Sequence, residues 1–80
     1  MVQLPPNHYV PGSQCWRIYR RLALYGRVTN KEIRYGLGGP EIYNTTGRTS
    51  SIRKFLKPFG IKLCSAPANE TGTLWEYRVG

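Results

Sequence analysis

The chain has 80 residues, of which 40% are apolar, and this supports one small domain with no room for a second. Twelve Lys and Arg stand against four Glu and no Asp, so the formal net charge is +8. This excess favours a polyanionic partner and disfavours hydrolytic and phosphoryl-transfer chemistry, which needs clustered carboxylates.

The sequence offers little for catalysis, for a metal or for a membrane. His8 is the only histidine, and no Asp can orient it as the base for a Ser or Cys nucleophile. Cys15 and Cys64 with one His fall short of a zinc set, and we expect both as buried or half-buried free thiols. Because no apolar run approaches the roughly 18–20 residues of a membrane span, and the N-terminus lacks a secretory pattern, we expect an intracellular, cytoplasmic protein. We expect it not to be an enzyme and to hold no cofactor or metal.

The first third of the chain predicts an arm and a helix. Residues 1–12 carry three prolines and no periodicity, which predicts an extended or disordered arm before a domain over residues 13–80. Ser13 can cap a helix from Gln14 to Tyr25, where Gly26 provides a left-handed stop. The predicted apolar face of this helix comprises Cys15, Ile18, Tyr19, Leu22 and Tyr25.

A short second helix follows a short extended connection over residues 26–29. Thr29 and Glu32 form a capping-box pattern that opens this helix, and the glycines from Gly36 onward end it. Ile33 and Leu37 would face the core. Residues 38–48 are rich in Gly, Pro, Asn and Thr, which predicts a loop.

A third helix is predicted from Thr49 to Phe59, ended by Gly60. Pro58 predicts an irregular last turn or a stop near Lys57. The predicted core face consists of Ile52, Phe55, Leu56 and Phe59, and we expect Ile52 and Leu56 to be buried with Leu22. The opposite face is basic and consists of Ser50, Arg53, Lys54 and Lys57.

The C-terminal part alternates between apolar and polar residues on either side of a turn at 67–72. This predicts an antiparallel hairpin of two strands, over residues 61–65 and 74–79.

The aromatic residues divide into two groups. We expect Tyr35 and Tyr43 to be exposed, where they could stack on the bases of a partner other than duplex DNA. The core is expected to hold Trp16, Tyr19, Tyr25, Phe55, Phe59 and Trp75.

Four segments carry a resemblance to a known family: Tyr25-Gly26, residues 27–33 (RVTNKEI), residues 47–53 (GRTSSIR) and Phe59-Gly60-Ile61. With the order helix, short strand, helix, helix and two-stranded hairpin, residues 13–79 resemble the winged helix-turn-helix DNA-binding domains, and especially the small winged-helix proteins common in bacteriophages. The resemblance implies an α+β fold with three helices packed on a C-terminal two-stranded antiparallel hairpin. One departure is the connection between helices two and three, where about ten residues replace the three or four of an ordinary helix-turn-helix.

The resemblance places the third helix in the major groove and the hairpin wing along the DNA backbone or minor groove. It thereby assigns Ser50, Arg53, Lys54 and Lys57 to recognition. Arg53 can donate two bonds to a guanine, whereas Lys54 and Lys57 suit phosphates. Arg48, and Thr49 or Ser50, would add phosphate contacts at the helix N-terminus. The implied function is duplex DNA binding by a phage or mobile-element regulator, or by an accessory factor in recombination or packaging.

Other interpretations of the basic residues stay open. A basic face can simply be solvated. The same scaffold could be a protein-interaction module that inhibits a host nucleic-acid enzyme through Arg48, Arg53 and Lys57, and RNA binding is a third interpretation. A monomer would contact only a short half-site, so a homodimer or a second protein is a further expectation. Backbone contact and solvation are equally open for Arg17, Arg20 and Arg21.

Overall fold

Three helices and three strands follow one another in the computed structural model, which describes residues 4–79. The elements are α1 (Gln14–Tyr25), β1 (Arg27–Thr29), α2 (Asn30–Arg34), α3 (Thr45–Leu56), β2 (Leu63–Pro67) and β3 (Trp75–Val79). The strands form one antiparallel sheet in the order β1-β3-β2. The protein is therefore a small α+β domain with three helices and a three-stranded antiparallel sheet.

The starts of α1 and α2 are where local capping chemistry predicts them. The Ser13 hydroxyl accepts a hydrogen bond from the Trp16 amide at 3.2 Å, and Gly26 ends α1 with a φ of 73°. At α2, the Thr29 hydroxyl accepts the Glu32 amide at 3.1 Å, while the Glu32 carboxylate accepts the Thr29 amide at 2.9 Å. The predicted capping box is confirmed.

The predicted start of α3 at Thr49 is wrong. The helix begins at Thr45, and the Asn44 side chain caps it by accepting the Gly47 amide at 3.2 Å. Gly47 suggested a loop, but a Cβ at this position would lie 2.5 Å from the Asn44 amide nitrogen, so glycine leaves room for the cap. At the other end the prediction is confirmed, because α3 stops at Leu56 and a 3-10 turn over Lys57–Phe59 leads to Gly60.

The predicted C-terminal hairpin is present as β2 and β3, but the strand count was wrong. The segment expected to be a connection is β1, which pairs with β3 so that Val28 lies opposite Tyr77. Val28 is fully buried. A strand of three residues is too short to show an alternating pattern, so only the pairing partner reveals it.

The core lies between the three helices and the inner face of the sheet. Leu22, Ile52 and Leu56 are buried together, as predicted. Ile42 is also fully buried, although the sequence placed it in a loop. Among residues 4–79, the buried apolar side chains are Ile18, Tyr19, Leu22, Val28, Ile33, Ile42, Ile52, Leu56, Leu63 and Val79.

Some residues expected inside lie at the surface. Tyr25 is 60% exposed, because it is the last residue of α1 and its ring stands beside the Arg21 guanidinium, 4.4 Å away. Phe59 is 55% exposed, since it lies in the 3-10 turn beyond α3, and Trp75 is 39% exposed. Cys64 is an exposed thiol on β2 and not a buried one.

The segment 4–12 has neither helix nor strand, and it packs along α1 and α3. The Tyr19 hydroxyl donates to the Pro5 carbonyl at 2.6 Å, and the Asn7 amide donates to the Trp16 carbonyl at 3.2 Å. The Tyr9 ring packs against Tyr19, with 5.9 Å between centroids. The predicted arm also includes residues 1–3, which lie outside the described residues. Between residues 4 and 79, none of the helices has the length and apolar character required to cross a bilayer.

Candidate nucleic-acid interface

The arm and the hairpin occupy opposite flanks of α3. On the arm side, the His8 ring lies on the Phe55 ring with 4.0 Å between centroids. On the hairpin side, Arg53 Nε donates to the Leu63 carbonyl of β2 at 3.1 Å. The arm covers one flank, and the flank that carries Arg53 faces the hairpin.

The residues on the hairpin flank form one row along the helix. Thr46, Ser50, Arg53 and Lys57 follow at intervals of four, three and four residues, which places their side chains one above the other. Arg53 and Lys57 are exposed, and Ser50 is half-buried. Lys54 lies beside this row and is also exposed. Four of the six predicted contact residues, Ser50, Arg53, Lys54 and Lys57, thus share one side of α3.

Thr49 and Arg48 lie elsewhere. Thr49 is only 2% exposed, and its hydroxyl donates to the Thr45 carbonyl at 2.9 Å inside the helix. The phosphate contact predicted for Thr49 assumed a helix N-terminus at this position, and that assumption is wrong because α3 begins one turn earlier. Arg48 is exposed on the α1 side, where its Nε donates to the Gln14 side chain at 2.8 Å.

The charge around this flank is uniformly positive. Residues 42–69 contain five Lys and Arg and no Asp or Glu. Among residues 4–79, the cations that form ion pairs are Arg21, Arg27 and Arg78, and none of them belongs to α3. Arg53, Lys54 and Lys57 are consequently available to an external anion, and their charges reinforce one another.

The turn of the hairpin differs from the helix in charge. Residues 67–73 contain Glu70 and no Lys or Arg. Its side chains bond to one another, since the Asn69 amide donates to the Thr73 hydroxyl at 3.0 Å. A tip of this composition has no positive charge to offer a phosphate, so it does not extend the cationic surface of α3.

The ten-residue connection between α2 and α3 is fixed by Arg17 of α1. One guanidinium nitrogen of Arg17 donates to the Gly36 carbonyl at 2.6 Å and to the Pro40 carbonyl at 2.8 Å. A Cβ at Gly39 would lie 2.5 Å from the same nitrogen, so glycine allows this close approach. Arg17 therefore holds this loop in place through one of its two terminal nitrogens.

The other two cations of α1 have partners of their own. The Arg21 guanidinium pairs with Glu32 of α2, 2.5 Å away. The Arg20 guanidinium lies over the Trp16 ring at 5.4 Å from its centroid. Burial acts to raise the pKa of Glu32, but hydrogen bonds from Thr29 and Arg21 outweigh it and hold that pKa below its usual value.

Aromatic side chains stand at the surface close to the basic row. Tyr35 is 63% exposed and Tyr43 is 77% exposed, as expected. The Glu41 carboxylate beside the Tyr43 hydroxyl raises the pKa of this phenol. Trp75 completes the group from β3, and sequence reasoning missed it. No local signal marks it, because the alternation along residues 74–79 places Trp75 on the same face as Tyr77 and Val79.

Comparisons with protein-family models, curated proteins and solved structures gave no match for this chain. Its chemistry is therefore inferred from the geometry alone. Within residues 4–79 no three His, Cys, Asp or Glu side chains lie together as metal ligands would. What the surface does offer is a cationic helix flank beside exposed aromatic rings.

Proposed function

We propose that the protein is a winged helix-turn-helix domain that binds duplex DNA through α3. The order α1-β1-α2-α3-β2-β3 supports this, because it matches the element order that the resemblance implies. The observation that carries the proposal is the acid-free cationic flank of α3, with Arg53, Lys54 and Lys57 exposed and without ion pairs among the described residues.

The arrangement suits a helix that lies in a groove with phosphates on either side. Arg53 is held by its bond to the Leu63 carbonyl through Nε, which leaves both terminal nitrogens for a base edge such as guanine O6 and N7. Lys54 and Lys57 provide point charges for phosphates, and Arg48 provides another on the opposite flank. A single copy presents one such helix, so a second copy or a protein partner would extend the site.

The test is a titration against random duplex DNA, single-stranded DNA and RNA at two salt concentrations. If Arg48, Lys54 and Lys57 each neutralise one phosphate, the slope of log K against log salt on duplex is about −2.7, at about −0.9 per phosphate. Lys57→Ala should reduce the steepness by about one unit. The matched control is Arg20→Gln on α1, which should leave the slope unchanged.

A flat salt response on every nucleic acid, or no binding at micromolar protein, would contradict the proposal. It would favour the interpretation in which the basic flank binds an acidic protein. Stronger binding to RNA than to duplex DNA at both salt concentrations would favour RNA as the partner.

A further inference from the structure

A groove with a volume of about 530 Å³ lies between α2, the start of α3 and the inner face of β3. Three aromatic residues line it, Tyr43, Trp75 and Tyr77, together with the cation Arg34. The volume is within the range of about 300–1,000 Å³ typical of ligand sites. Exposed aromatic rings grouped in a concave surface are typical of a binding site, because their apolar faces are otherwise in contact with water.

The aromatic wall of the groove is held in place by hydrogen bonds between the Asn30 side chain and the backbone at the start of β3. Trp75 and Tyr77 alternate with Glu76 along β3, so both lie on the inner face of the sheet. The Trp75 amide donates to the Asn30 side-chain oxygen at 3.1 Å, and the Asn30 side-chain nitrogen donates to the Thr73 carbonyl at 3.3 Å. The oxygen and the nitrogen of the Asn30 side-chain amide are thus both hydrogen-bonded to this segment. These bonds connect α2 to the start of β3, so the groove is preformed.

The groove continues into the cationic flank of α3. Thr46 lines the groove and is also the first member of the row that leads to Arg53 and Lys57. Arg34 is exposed at the other end. An unpaired strand that lies along Arg34 and the Thr46 hydroxyl would therefore meet a duplex held at Arg53 and Lys57. Glu41 lies beside the outermost ring, Tyr43, whereas Glu76, between Trp75 and Tyr77, lies on the opposite face of the sheet.

We propose that this groove binds one unpaired strand of nucleic acid, with a base stacked on Trp75 and Tyr43 and the adjoining phosphate on Arg34. This rests on the proposed function, because α3 would hold the duplex next to the unpaired strand. Stacking on an indole accepts any base, and cations beside the rings match the phosphates that link the bases. The preferred substrate is then a junction between duplex and single strand.

The experiment compares three fluorescent probes: a blunt duplex, the same duplex with a ten-nucleotide thymidine overhang, and the thymidine strand alone. The overhang should tighten binding by about 5- to 140-fold, as one stacked base contributes about 1–3 kcal/mol. Trp75→Ala and Tyr43→Ala should each remove most of this gain and leave blunt-duplex affinity unchanged. Tyr25→Ala is the matched control, since Tyr25 is 60% exposed but lies beside Arg21, outside this groove.

A second readout does not require a variant at the site. In Trp16→Phe protein, Trp75 is the only tryptophan, and its emission should be quenched by the thymidine strand. If the overhang gives no gain, or if Trp75→Ala and Tyr43→Ala both retain it while blunt duplex still binds with a steep salt slope, this inference is overturned and the proposed function survives. If no probe binds, both are overturned.

Discussion

The substitution Arg53→Lys tests whether Arg53 makes a base-specific contact or only attracts the DNA through its positive charge. The substitution keeps the positive charge but replaces a planar fork with a single ammonium group. Arg53 Nε bonds to the Leu63 carbonyl at 3.1 Å, so the fork is aimed by the hairpin itself. Lysine has one nitrogen, which cannot bond to this carbonyl from the same position and also make two parallel bonds to a guanine.

The expected loss follows from these two roles. A bidentate contact discriminates between bases by about 1–3 kcal/mol, so affinity for a selected duplex should fall by about 5- to 140-fold. Affinity for random duplex should change little, because the charge is retained. Loss of the bond to Leu63 should lower the free energy of unfolding by about 0.5–1.5 kcal/mol, towards the low end since Arg53 is exposed.

The assay is fluorescence anisotropy on the selected and the random duplex, with thermal unfolding measured on the same protein to verify that it is folded. Arg20→Lys on α1 serves as the matched control and should alter neither affinity. Equal losses on the two duplexes for Arg53→Lys would refute the base-reading role. Specificity would then have to come from residues 38–48 or from the aromatic groove.

Two further predictions concern stability. Leu56→Ala should lower the free energy of unfolding by about 2–5 kcal/mol in urea denaturation, since Leu56 is fully buried at the centre of the core, and a loss well below 1 kcal/mol would contradict the packing described. Because the pKa of Glu32 is lower in the folded than in the unfolded protein, its contribution to stability is present above the usual carboxyl pKa of 4.5 and is lost as the pH falls through the folded value. The difference in Tm between the native protein and Glu32→Gln should therefore be largest near neutral pH and shrink in acid, and a difference independent of pH would argue against the bonds from Thr29 and Arg21.

The candidate site was partly visible in the sequence. The exposed basic side of α3 follows from the spacing of Ser50, Arg53, Lys54 and Lys57, because helical periodicity alone sets which residues share a side. The same periodicity places Thr49 on the buried face with Ile52 and Leu56, but the misplaced helix start made Thr49 a candidate for a phosphate contact. The partner of Arg53 was also hidden, because Leu63 lies in another element.

Local signals determined most of the elements. Ser13, Gly26 and the Thr29–Glu32 capping box define helix ends through bonds between residues at most four apart, and these could be read from the chain. The alternation on both sides of the turn at 67–72 likewise defined the hairpin. In each case the interaction partners are neighbours in sequence.

Only the tertiary structure decided the third strand, the burial of Ile42, the role of Arg17 and the groove at Trp75. β1 becomes a strand because Val28 lies opposite Tyr77, and Arg17 is withdrawn from solvent because the carbonyls of residues 36 and 40 are brought to it. These contacts join segments about 20 to 50 residues apart, and no local propensity encodes which distant groups will meet. The physical reason is that burial and hydrogen-bond satisfaction depend on the whole packed arrangement, whereas caps and periodicity depend on a few consecutive residues.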